Sequence, residues 1–180
     1  VFSAMYARVR RSEYKLQFMQ FVVESSPDFV IWADSRGRIK YANAAAAKRH
    51  GYSQAELLQM SIPDLDPLFP MEAWKAHWEE LKQKGQLRLE SLHRTKSGKT
   101  FPVEITTSYV ARDGGDLICG IVRDISERNA AHEMLKKGQE ALALAQSIAK
   151  VGSYDWDIKA DKTEFSSEMY NLLGVSAEMQ

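Results

Sequence analysis

The sequence of 180 residues predicts an α+β fold, and three observations carry that prediction. Two short apolar runs flank the turn Asp34-Ser35-Arg36-Gly37, a hairpin signature. Three longer alternating runs, joined by Gly-containing turns, occupy residues 86–123. Between the two strand groups lie segments with helical spacing, and a long helical pattern stands on each side of the whole. Strands grouped with strands and helices with helices are the mark of an α+β domain.

Each element has a local cause. Residues 1–25 form a helix in which Met5, Val9, Ser12, Leu16, Met19 and Val23 step 4-3-4-3-4, the seam of a heptad. Phe18, Phe21 and Val22 widen that seam, so the last turns are expected to cover a folded domain. Pro27 ends the helix, because the residue before proline is pushed out of the helical region. Phe29–Ala33 and Arg38–Tyr41 are the hairpin strands, and Asn43 caps a short helix over Ala44–Ala47. Ser53 with Glu56 is a capping box opening a helix from Gln54 to Met60. Pro63, Pro67 and Pro70 are expected to keep the next stretch irregular. A helix follows from Met71 to Lys84, with Met71, Trp74, Trp78 and Leu81 on one face and Gly85 as its stop. Strands over Gln86–Thr95, Lys99–Arg112 and Asp116–Arg123 complete the unit. Beyond Asp124 a second long helix runs to about Lys150, with Ala131, Leu135, Gly138, Leu142, Ala145 and Ala149 again stepping 4-3-4-3-4.

Composition narrows the function. The chain is 44% hydrophobic and 27% charged, which excludes a wholly disordered chain. Its 24 basic and 24 acidic residues cancel, so no nucleic-acid partner is expected. The single cysteine, Cys119, excludes an internal disulfide. No run of about 18 uncharged apolar residues occurs to span a bilayer. Arg8, Arg10 and Arg11 are either a solvated helix face or the inner flank of a span upstream of Val1. A membrane is expected only through such a span, and the chain itself is expected to be cytoplasmic.

The residues past 150 repeat the opening of the first unit. Gly152–Asp157 and Thr163–Phe165 read as strands and Ser166–Leu173 as a helix. Gly174-Val175-Ser176-Ala177-Glu178 then mirrors Gly51-Tyr52-Ser53-Gln54-Ala55-Glu56. The expected organisation is an N-terminal helix over 1–25, a domain over 26–126, a coiled-coil-like linker helix over 127–150 and the severed start of a second domain over 151–180.

The strings Asp34-Ser-Arg-Gly-Arg-Ile-Lys-Tyr-Ala-Asn43, Gly51-Tyr-Ser-Gln-Ala-Glu-Leu57, Arg94-Thr-Lys-Ser-Gly98 and Phe101-Pro-Val-Glu104 resemble a PAS sensory domain. Arg123-Asp124-Ile125-Ser126-Glu127-Arg128 resembles the family's closing motif, with serine in place of the usual threonine. The resemblance covers residues 24–128, and 147–180 resemble the start of a second copy. It implies a five-stranded antiparallel sheet with helices over one face and a small ligand cavity between them. It also implies a module of a bacterial multi-domain signalling protein, of the histidine kinase or cyclic-di-nucleotide enzyme type.

Strand alternation selects the residues facing that cavity: Phe29, Ile31 and Ala33; Val103, Ile105 and Thr107; and Ile118, Gly120 and Val122. Cys119 and Ile121 fall on the outer face. Trp74, His77 and Trp78 on the long helix and His93 at the end of the third strand complete the candidate set, against the alternative of a filled core with no ligand. The cofactor is unassigned. Haem-binding relatives take their iron ligand from the region of His77, which leaves haem as one alternative. A flavin photo-adduct is not expected, since Ser61-Ile62-Pro63-Asp64 stands where light sensors carry their cysteine string. His50 is read as only the end of a short helix, and His132-Glu133 as part of a solvated helix rather than a phospho-acceptor box. No metal-ligand spacing, phosphate loop or catalytic constellation occurs.

The expectation is therefore a sensory module, with no enzyme activity in this segment, that senses a small molecule or partner. It relays its state through Arg123, Asp124, Ile125 and Ser126 into the following helix and forms a homodimer through Met5, Val9, Leu16, Met19, Val23, Leu135 and Leu142. The alternative is a ligand-free dimerisation and spacing module.

Overall fold

The computed structural model describes residues 2–174, with side chains from residue 10 onward. The chain divides into two compact units, residues 1–126 and 127–180. The first contains α1 (Phe2–Glu24), β1 (Phe29–Ala33), β2 (Ile39–Ala42), α2 (Ala44–His50), α3 (Gln54–Leu57), α4 (Ile62–Leu65), α5 (Met71–Lys84), β3 (Gln86–Arg94), β4 (Thr100–Val110) and β5 (Leu117–Asp124). Its five strands form one antiparallel sheet in the order β2-β1-β5-β4-β3, so the last strand in sequence is the central one.

Asn43 fixes how helix and sheet meet. Its side-chain oxygen accepts from Val30 N–H at 3.1 Å and from Ala46 N–H at 3.1 Å, capping α2. Its amide nitrogen donates to Val23 O and Asp28 O, both at 3.0 Å. Glu24, at the end of α1, accepts from Ala44 N–H at 3.0 Å and from the Tyr41 hydroxyl at 2.6 Å. The end of α1 is thus tied to β2 and α2 by polar contacts. Phe18, Phe21 and Val22, expected to cover the domain, remain exposed, because the anchoring is made through Glu24 and the half-buried Val23.

Two other expectations shift for local reasons. The helix opened by the Ser53–Glu56 capping box stops at Leu57, because Met60 O is taken by Ile39 N–H and Gly37 O by Ile62 N–H. The proline-rich stretch is not wholly irregular: Ser61 and Asp64 form a second capping box, and Pro63 fits the first turn of α4, where a missing N–H costs nothing.

Register sets the inner face of the sheet. Phe29, Val122, Ile105 and Leu89 lie in one cross-strand row, and Ile31, Gly120, Thr107 and Leu87 in the next. Ala33, Ile118 and Tyr109 form a third. These rows and the covering helices build two buried apolar clusters, one around Ile39, Leu57 and Leu65, the other around Trp74, Trp78 and Leu81. On the outer face Ile121 is exposed and Cys119 is half-buried opposite Trp32.

The second unit contains α6 (Ser126–Ala149), which begins at the last residue of the first unit, the hairpin β6 (Tyr154–Asp157) and β7 (Lys162–Phe165), and α7 (Ser167–Leu173). Ser166 caps α7, and Gly174 ends it at φ 68°, as Asn43 and Gly51 (φ 77°) do for α2. The string Val175–Glu178 lies outside the described residues. No helix of the described residues is long and apolar enough to cross a membrane.

Replacing Asn43 with alanine removes the α2 cap and leaves Val30 N–H and two carbonyls without their partner. The expected loss is about 2–4 kcal/mol of stability, read as a lower urea midpoint; an unchanged midpoint contradicts the role given to Asn43.

Candidate functional site

Gly120 opens a space in the middle of the sheet. It stands on the central strand between Ile31 and Thr107 and contributes no side chain where its neighbours converge. A cavity of about 50 Å³ lies over it, where the two clusters meet, with room for a few water-sized groups. Ten of the residues selected by the sequence line it: Ile31, Ala33, Trp74, His77, His93, Ile105, Thr107, Ile118, Gly120 and Val122. Three do not. Phe29 packs edge-on against His50 and Phe101 at 5.4 and 6.2 Å between ring centres. Val103 is fully buried one row beyond the cavity, paired with Ser91 and Asp124. Trp78 packs against Tyr109 at 5.7 Å. Ile62, Asp66, Phe69 and Leu89 complete the wall.

The polar groups of the site are buried and interlinked. Thr107 hydroxyl is hydrogen-bonded with His77 Nε2 at 3.1 Å and lies 3.5 Å from Leu87 O. His77 is 7% exposed, and burial lowers its pKa against the pull of Glu80. His50 does more than end a helix. Fully buried, it makes hydrogen bonds from Nδ1 to Ala46 O at 2.8 Å and from Nε2 to His93 Nδ1 at 2.9 Å. Burial holds His50 below the usual imidazole range and, with the neighbouring His50, brings His93 down to about 3. Burial raises the pKa of Asp66 against hydrogen bonds from Ser91, Leu68 and Phe69.

A second polar path leads from α2 to the end of the sheet. Arg49, adjacent to His50, lies 3.9 Å over the Phe101 ring and donates through Nε to Asp124 Oδ2 at 2.6 Å. Asp124 Oδ1 accepts from Ser126 N–H, the first residue of α6, at 2.9 Å. Burial pushes the Asp124 carboxyl up, but hydrogen bonds from Ser126 and Arg49 outweigh this and hold it low. Ile125 is buried and donates to Pro102 O at 3.1 Å. Arg123 forms a forked pair with Asp28 at 3.1 and 2.7 Å. Of the seam residues, Leu16, Met19, Leu135 and Leu142 are exposed and Val23 is half-buried, while the side chains of Met5 and Val9 lie outside the described residues.

A haem or flavin does not fit this space. The cavity is far below the roughly 300–1,000 Å³ of pockets for such ligands, and His77 Nε2 is already engaged by Thr107. Among the described residues, no group of three or more His, Cys, Asp or Glu is placed to hold a metal ion.

A five-stranded antiparallel sheet with helices enclosing one small cavity against its central strand defines a class of α+β sensory-type domains. The chain belongs to the PAS domain family, whose model matches residues 27–127. It is similar to the sensor histidine kinase TmoS of Ectopseudomonas mendocina, 28% identical over 137 residues, and to a nitrogen fixation regulatory protein of Klebsiella pneumoniae, 29% identical over 118 residues. These matches cover 74% and 64% of this chain but 14% and 24% of those proteins. Among solved structures, the PAS domain of an HTR-like protein from Haloarcula marismortui aligns with a TM-score of 0.62 at 27% identity, covering 67% of this chain and 99% of that one. A PAS domain from a two-component sensor histidine kinase aligns at 0.55 and 25% identity, covering 63% and 98%.

The buried histidines give stability a defined pH dependence. Their folded pKa values are depressed, so between pH 6.5 and about 3 the unfolded chain takes up protons that folded His93 does not. Stability is therefore full above pH 6.5 and falls on acidification, with Asp66 working in the opposite direction. From pH 6.5 to 5 His93 alone accounts for a loss on the order of 2 kcal/mol. Urea titrations at the two pH values should show this drop, reduced in His93→Gln; a flat profile excludes a neutral buried His93.

Proposed function

We propose that this chain is a sensory module of a signalling protein of the histidine kinase type, in which occupancy of the cavity is relayed to α6. The observation that carries the reading is the continuity of polar contacts between the two places. His93 on the cavity wall bonds His50; the adjacent Arg49 bonds Asp124; Asp124 caps Ser126. A change in the cavity that moves α2 acts on the residue from which α6 starts. Such a relay requires two arrangements of the junction that a ligand favours unequally. Asp124 is the main positioning residue, with Arg123 and Ile125 holding the strand end to Asp28 and Pro102.

A second reading has its own support. Tyr14, Leu16, Phe18, Met19 and Phe21 on α1, and Met134, Leu135, Leu142, Leu144 and Ile148 on α6, are each more than half exposed. Apolar faces of this extent favour pairing with another copy. A homodimer through these helices serves the sensory reading and also a pure spacing role.

Gly120→Ala separates sensing from spacing. Its new methyl meets Ile31 O at 3.5 Å and Thr107 Cγ2 at 3.9 Å, ordinary contacts, so the fold accepts it while the cavity shrinks. Amide resonances at the start of α6 should move in Gly120→Ala, and adding Asp124→Ala should largely abolish that movement with the domain still folded. An α6 indifferent to Gly120→Ala leaves only the spacing reading. In a parent protein, Asp124→Ala should uncouple output from ligand, and normal signalling by that variant would sink the relay.

A further inference from the structure

Four polar side chains line the cavity; His77 and Thr107 are bonded to each other, and Asp66 and His93 present acceptors to it. A carbonyl only accepts, so the bond to Ala46 O places the proton of neutral His50 on Nδ1 and leaves its Nε2 a lone pair. His93 Nδ1, 2.9 Å away, must donate to that lone pair. The Nε2 of His93 is then an unprotonated acceptor. It has no hydrogen-bond partner among the described residues, and the side chain carrying it is 4% exposed and lines the cavity. Asp66, 2% exposed, lines the same cavity. Its carboxyl receives Leu68 N–H at 2.9 Å and the Ser91 hydroxyl but forms no ion pair among the described residues. The Phe69 and Trp74 rings stand 5.3 and 6.1 Å from the ring of His77 and add π faces to the wall.

A desolvated carboxylate, a fixed nitrogen lone pair and aromatic faces in one small space complement a positively charged N–H donor. A carboxylate or phosphate would meet the Asp66 charge and another acceptor. We propose that the cavity is a binding site for a short-chain primary ammonium ligand of a few heavy atoms, its N–H groups donating to Asp66 and to His93 Nε2 and its carbon end against the apolar wall. The inference rests on the sensory reading of the cavity and adds the chemical class of what is sensed. His77 and His93, the other titratable groups of the wall, are held neutral by burial and do not oppose a cation.

The test is titration of the 180-residue protein with ethylammonium, ethanol and acetate, followed by amide NMR. Ethylammonium should shift the Ile31, Thr107 and Gly120 resonances saturably, with affinity roughly tenfold or more above that for the other two. Asp66→Asn should weaken it by a similar factor. A second measurement needs no variant: bound ethylammonium must lower the pKa of Asp66, read from its carboxyl carbon shift, and by more than ethanol, which brings a hydrogen bond but no charge. Ethanol binding as tightly as ethylammonium overturns the inference, as does an Asp66 titration unmoved by ethylammonium, or no binding by any of the three. The sensory reading fails separately, through the ligand-free response of α6 to Gly120→Ala.

Discussion

One buried amide holds the sensory unit together. Asn43 uses both lone pairs of its oxygen and both N–H groups of its nitrogen, and its four partners lie on α1, the turn before β1, β1 itself and α2. No apolar side chain can replace it, because each partner is a backbone group, and the N–H groups of Val30 and Ala46 would lose their bond in a buried place. The position of α2 over the sheet follows from that constraint. Ala46 and Ala47 then allow the helix to lie close, since their small side chains are buried without displacing the strand residues beneath.

The placement of α2 in turn creates both parts of the functional geometry. Its last residue, His50, reaches across to β3 and orders His93 at the cavity wall. Its penultimate residue, Arg49, points to the opposite partner, Asp124 at the end of β5. Consecutive residues of one short helix thus bond a residue of the cavity wall and the residue that caps α6. This element of seven residues is held at its N-terminus by Asn43 and at its C-terminus by these two side chains.

Much of this was legible in the sequence where the cause is local. The capping pair Ser53–Glu56, the cap Asn43, the turn at Asp34–Gly37 and the helix Met71–Lys84 depend on residues within a few positions of one another. Alternation along β1, β4 and β5 likewise gave the correct inward face. It did not separate cavity from filled core, because Phe29 and Val103 share that face with Ile31 and Ile105 and differ only in what packs above them. The His50–His93 bond joins residues 43 positions apart, and no spacing announces it. Asp66 sits between Leu65 and Pro67 in a stretch without periodicity, and its burial depends on β3 and α4 closing over it. Local chemistry was readable; the meeting of distant polar groups was not.

The polar groups around the cavity bear on the choice between sensing and spacing. His50, His77, His93, Asp66 and Thr107 are all buried. Each loses hydration on folding, and an apolar side chain of similar volume at the same place would commonly cost less. A module that only set distance and pairing would need no more than a filled core, which favours the proposed sensory reading. Local conflicts with stability of this kind concentrate where a protein binds something. Here they also surround an unfilled space and connect through α2 to the residue that caps α6. A ligand that supplied donors to Asp66 and His93 would relieve part of that cost, and the energy so recovered is what would be available to shift the junction from one arrangement to the other.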